Sequence, residues 1–158
     1  MKFTLFLLLL FLPVIIKAQN SDNYLDVIVN TSLNFTVNTV SEIENDQPVP
    51  GAFTITFKNK DKTRSIYARI SSVTTPQGFT ATSPYPIAID YTSDNSSNES
   101  NLITGALQLT STDQRLFTQV KKNSTLFQFN YDLVYKATNW LYPPGNYSFT
   151  ITFTMTPP

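Results

Sequence analysis

The stretch "GNYSFTITFTMTPP" (residues 145–158) decides the reading of this chain. From Tyr147 to Met155 large side chains alternate strictly with Ser and Thr. Successive side chains of a β-strand point to opposite faces, so Tyr147, Phe149, Ile151, Phe153 and Met155 share one apolar face and the hydroxyls share the other. Gly145 and Asn146 turn the chain into this strand, and Pro157 and Pro158, which have no amide proton to donate, stop it. Exposing five large apolar groups would be costly. The expectation is therefore a central strand, hairpin partner to the run at 126–135.

The same two-residue period recurs upstream. "LFQFNYDLVY" (126–135) sets Phe127, Phe129, Tyr131, Leu133 and Tyr135 against Gln128, Asn130 and Asp132. "AFTITFK" (52–58) aligns Phe53, Ile55 and Phe57, and "SIYARIS" (65–71) aligns Ile66, Ala68 and Ile70. Shorter runs at 25–29, 33–37, 86–91 and 103–109 repeat the pattern. Between them lie clusters of Asn, Asp, Ser and Pro, as at 44–51, 58–64, 74–78, 82–86 and 92–100, which read as turns. Only 112–123 has room for a helical turn. Many short strands with one apolar face each can hide those faces only by packing sheet on sheet. The fold class expected is all-β, an antiparallel two-sheet immunoglobulin-like β-sandwich, with a closed barrel as the competing architecture.

At the other end, Lys2, an apolar run from Phe3 to Ile16 and the small Ala18 have the layout of a secretory signal peptide. Residues 1–18 are read as that leader, and 19–158 as a single β-sandwich domain, long enough for its own core. Removing Lys2 and Lys17 leaves nine basic side chains against eleven acidic ones. With no basic stripe, nucleic acid is set aside as a partner, and no later segment is apolar enough to span a bilayer once the leader is cleaved. The chain has no Cys and no His. Thiol nucleophiles, His-based triads and ordinary zinc sites therefore have no side chains to use.

"PPGNYSFTITFTM" (143–155) resembles the closing strand of small secreted bacterial domains of the spore coat protein U and fimbrial-subunit type, which end in a Gly-x-Tyr turn followed by alternating Thr and apolar residues. Gly145 stands where fimbrial subunits often carry Gly. The chain departs from the fimbrial pattern at Pro157, in place of an aromatic, and in lacking a Cys pair. The resemblance implies an immunoglobulin-like sandwich and a role in surface assembly or adhesion, in the periplasm, at the cell surface or secreted. It carries over no binding residues.

Candidate chemistry is sparse. Asp61, Asp90, Asp94, Asp113 and Asp132 are the acids from which a catalytic pair would come, but most sit in turns. The oxygen-rich "DYTSDNSSNE" (90–99) lacks the Gly and closing spacing of an EF-hand calcium loop. Six N-x-[ST] triplets, at Asn30, Asn34, Asn95, Asn98, Asn123 and Asn146, are a small excess over what so Asn-, Ser- and Thr-rich a chain carries by chance. The Thr row at 150–156 reads as a solvent-facing strand surface, since ice binding needs such rows repeated on neighbouring strands. Trp140, Tyr142 and Tyr85 are the candidates for stacking a sugar ring, although Trp140 reads first as a plug over the end of the core. The expectation is a non-enzymatic, exported structural or adhesion module without cofactor or metal, associating with itself or a surface protein through edge strands. "YLDVIVN" (24–30) is the segment expected to leave and pair elsewhere. The alternative is a carbohydrate-binding module using those aromatics.

Overall fold

A computed structural model describes residues 23–31, 39–60, 62–96, 99–120, 123–138, 140–143 and 145–157. The leader assigned to 1–18 and the strand expected at 33–37 lie outside the described residues. The elements run β1 (Asn23–Val29), α1 (Val40–Glu44), β2 (Gln47–Asn59), β3 (Arg64–Thr74), β4 (Ile87–Asp94), β5 (Glu99–Ser100), β6 (Leu107–Gln108), β7 (Gln114–Gln119), β8 (Asn123–Tyr135) and β9 (Ser148–Thr156). Two antiparallel sheets pack face to face. One has the order β1-β2-β8-β4-β6 and the other β5-β7-β3-β9. This is the all-β sandwich that the alternation predicts.

The inward faces are those expected. Phe53, Ile55 and Phe57 on β2, Ile66, Ala68 and Ile70 on β3, and Phe127, Phe129, Tyr131, Leu133 and Tyr135 on β8 are all buried. Aromatic rings join the layers: Phe117 of β7 stacks on Phe129 of β8 with centroids 3.9 Å apart, and Phe57 of β2 lies 5.4 Å from Phe117. The outer face of the first sheet carries a polar chain across three strands. Asn30 Nδ2 donates to Thr54 Oγ1, Thr54 Oγ1 donates to Asn130 Oδ1, and Asn130 Nδ2 donates to Ser93 Oγ. The β2–β8 ladder shifts register between Val49 and Phe53. Gly51 sits in that bulge at φ 59°, a conformation open to glycine, and its amide donates to Asp132 Oδ1 at 2.7 Å.

Three expectations are corrected. First, β9 is neither central nor the partner of β8. It lies in the other sheet, pairs with β3 from Ser148↔Thr74 to Thr156↔Ser65, and is the edge of that sheet among the described residues. The connection from β8 to β9, 136–147, is long enough to cross between layers, so adjacency in sequence does not impose a hairpin. Second, within 112–123, the one stretch with room for a helical turn, Gln114–Gln119 forms strand β7. Its Leu116 and Phe117 are drawn into the core while its backbone pairs with β3. The helix is α1, where Thr39 Oγ1 accepts from the Glu42 amide and Glu42 Oε2 accepts from the Thr39 amide, a capping box. Third, of the strand expected at 103–109 only Leu107–Gln108 forms a ladder.

Candidate functional site

Two regions present chemistry to solvent. The first is the loop-bearing end of the sandwich beside α1, where the sequence placed Trp140, Tyr142 and Tyr85. The structure separates their roles. Tyr142 is buried, donates its hydroxyl to the Thr82 carbonyl at 3.1 Å, and packs edge-on against Phe79 with centroids 5.2 Å apart. Burial raises its phenol above the ordinary tyrosine range. Tyr85 is half-buried, with its ring 6.2 Å from Phe149. Trp140 is 57% exposed at φ 70°, and Leu141 beside it is 77% exposed. The expected plug over the core is therefore Tyr142, not Trp140. At this left-handed position the backbone turns the indole outward and swings Tyr142 in.

A shallow cleft of about 410 Å³ opens here, with Phe79, Pro84, Lys136, Thr138, Leu141 and Tyr142 among its walls. Tyr142 is among its walls, whereas Trp140 and Tyr85 are not. Lys136 Nζ pairs with Asp46 Oδ2, and Asp46 Oδ1 accepts the Ala137 amide at 2.8 Å. The Lys136 ammonium, then that amide, hold the Asp46 carboxyl below the usual carboxylate range.

Three of the five acids have structural partners. Asp94 accepts the Tyr91 hydroxyl at 2.6 Å and the Ser96 amide at 2.7 Å. Asp113 lies 3.6 Å from Arg69, and Asp132 holds the Gly51 amide. Asp90 opposes Asp132 in the β4–β8 ladder. Asp61 is outside the described residues. Among the described residues no three His, Cys, Asp or Glu side chains converge in a way that would hold a metal ion.

The second region is the edge of β9. Of the strands at sheet edges, β5 and β6 are two residues each, and β1 carries Asp26 at its middle. Short strands and charges are the devices that blunt an edge against further pairing. β9 has neither: its nine residues, SFTITFTMT, contain no charge, no Gly and no Pro. Its inward side chains Phe149, Ile151, Phe153 and Met155 are half-buried, whereas Ile66, Ala68 and Ile70 on the neighbouring β3 are buried. Phe153 reaches the core through Phe53, 5.4 Å away. Sequence reasoning missed this edge because it placed β9 in the interior, although the uncharged composition was legible. Compared with protein-family models, curated proteins and solved structures, the chain has no significant match.

Proposed function

We propose that this protein is a non-enzymatic, exported structural or adhesion module that assembles with copies of itself through its edge strands. The observation that carries this reading is β9, a long strand paired on one side among the described residues and free of the charges and prolines that discourage strand addition; the one register shift in its ladder, between Ile70 and Ser72, puts the extra residue on β3. The signal-peptide layout of residues 1–18 and the resemblance of 143–155 to fimbrial-type closing strands support export and a surface role. So does the composition: the chain has no His or Cys, and Asp94, Asp113 and Asp132 hold structural partners. Light scattering behind size-exclusion chromatography tests assembly directly. Average mass should rise with concentration; a species that stays monomeric from micromolar to millimolar removes the assembly role.

One observation favours a second reading, carbohydrate binding: the 57% exposed Trp140 on a loop beside an open cleft. Tyr142 and Tyr85 contribute to packing there, so Trp140 with Leu141 would carry the contact. A glycan array comparing the protein with Trp140→Ala separates the two readings, since loss of a specific glycan signal supports only the second.

A further inference from the structure

Resting on the assembly reading, we propose that β9 pairs antiparallel with β9 of a second copy of this chain, about a two-fold axis through Thr152. The strand runs Ser148–Thr156, so Thr152 is its midpoint. In the centred register Thr152 opposes its own copy, Ile151 opposes Phe153, Phe149 opposes Met155, and Thr150 opposes Thr154. Every opposed pair is then apolar with apolar or hydroxyl with hydroxyl, and no charge meets a like charge. Cross-strand pairs of these kinds are favourable. The half-buried Phe149, Ile151, Phe153 and Met155 gain a neighbour on their open flank, and the four-stranded sheet becomes a continuous eight-stranded one.

The same construction is less favourable at the other long edge, although the fold does set Asp90 opposite Asp132 within one ladder. The midpoint of β1 is Asp26, so self-pairing of β1 would set two carboxylates directly opposite each other. The nearest like charges across the β9 pairing are the two Arg69 side chains, each on β3 opposite Thr152. Three strand spacings separate them, about 14 Å, beyond the Debye length of about 8 Å at physiological salt. Each also has Asp113 at 3.6 Å. A two-fold pairing closes, so it yields discrete dimers and not fibres.

The experiment is a charge swap at the axis in the full chain. Thr152→Glu and Thr152→Lys each place like charges against each other across the two-fold, while Thr152→Glu also gains Arg69 as an opposite charge within its own sheet. Each variant alone should dimerise more weakly than the parent, by up to about fivefold, in analytical ultracentrifugation. An equimolar mixture should recover the dimer. Thr152→Lys faces Arg69 as a like charge within its own sheet, so circular dichroism and thermal melting establish that both variants are folded. A Thr152→Glu protein that dimerises as tightly as the parent, or a mixture that shows no recovery, overturns the two-fold pairing. Open-ended oligomers indifferent to the swap overturn it too, but leave the broader assembly role standing. A parent protein monomeric at every concentration overturns both. If its β9 amides are then protected from exchange, the chain itself covers the edge.

Discussion

The sandwich makes a sharp prediction at β8, where Phe129 and Leu126 lie on the same strand but on opposite faces. Phe129 is fully buried, stacked 3.9 Å from Phe117 at an interplanar angle of 9° and 5.8 Å from Phe57, so its ring ties the two sheets together. Leu126 is 48% exposed. Phe129→Ala removes a ring that neighbours on both sheets cannot collapse to replace, and should cost about 4 kcal/mol, of which about 1 kcal/mol belongs to the ring stack itself. For a domain of this size, that lowers the melting temperature by roughly 12 °C. Leu126→Ala should change stability by less than about 0.5 kcal/mol. Urea unfolding followed by far-ultraviolet circular dichroism reads both, because the exposed Trp140 is a poor reporter of the core. A one-residue slip in register would exchange the faces of the entire strand. Equal costs for the two variants, or a larger cost at Leu126, would therefore refute the sheet pairing and not merely its energetics.

Other outcomes follow from single contacts. Tyr131 is buried with its hydroxyl unpartnered, and burial drives its phenol far above the ordinary range; Tyr131→Phe should leave stability unchanged or raise it by up to about 1 kcal/mol in urea unfolding. Tyr91 is pushed up to about 12 by burial and by its bond to Asp94. A raised native pKa means stability that is complete below the unfolded phenol value of about 10 and is lost as pH rises towards about 12, so phenolate absorbance should lag behind that of a model peptide until the protein unfolds. The depressed Asp46 works in the opposite sense. Its contribution is present above the unfolded carboxylate value of about 3.9 and lost as pH falls through the lower native value, and Asp46→Asn should flatten that part of an acid melting profile. A Cβ on Gly145 would lie 2.5 Å from Pro76 Cγ, at a backbone φ of 157°; Gly145→Ala should cost about 1–3 kcal/mol in melting experiments, and Pro76→Ala in the same chain should recover only the part owed to the clash.

The faces of the strands were legible in the sequence because side-chain alternation is a property of the extended backbone alone. It assigned Phe53, Ile55, Phe57, Phe127, Phe129 and Tyr131 to the interior without reference to any neighbour. The capping box at Thr39 and Glu42 was also there to be read, and was passed over because α1 is too short to show a helical period. Tertiary structure alone decided which ladders form. Any strand offers the same amides and carbonyls, so β9 could be assigned to β8 or to β3 on pattern alone, and the long 136–147 connection permits either. The candidate site divides in the same way. Sequence named Trp140, Tyr142 and Tyr85 as aromatic, but which ring faces water depends on a backbone reversal at Trp140 and a carbonyl at Thr82, sixty residues away in sequence. An amphipathic strand declares which of its sides is apolar, and only the packed sheets determine whether its backbone edge is paired or left open.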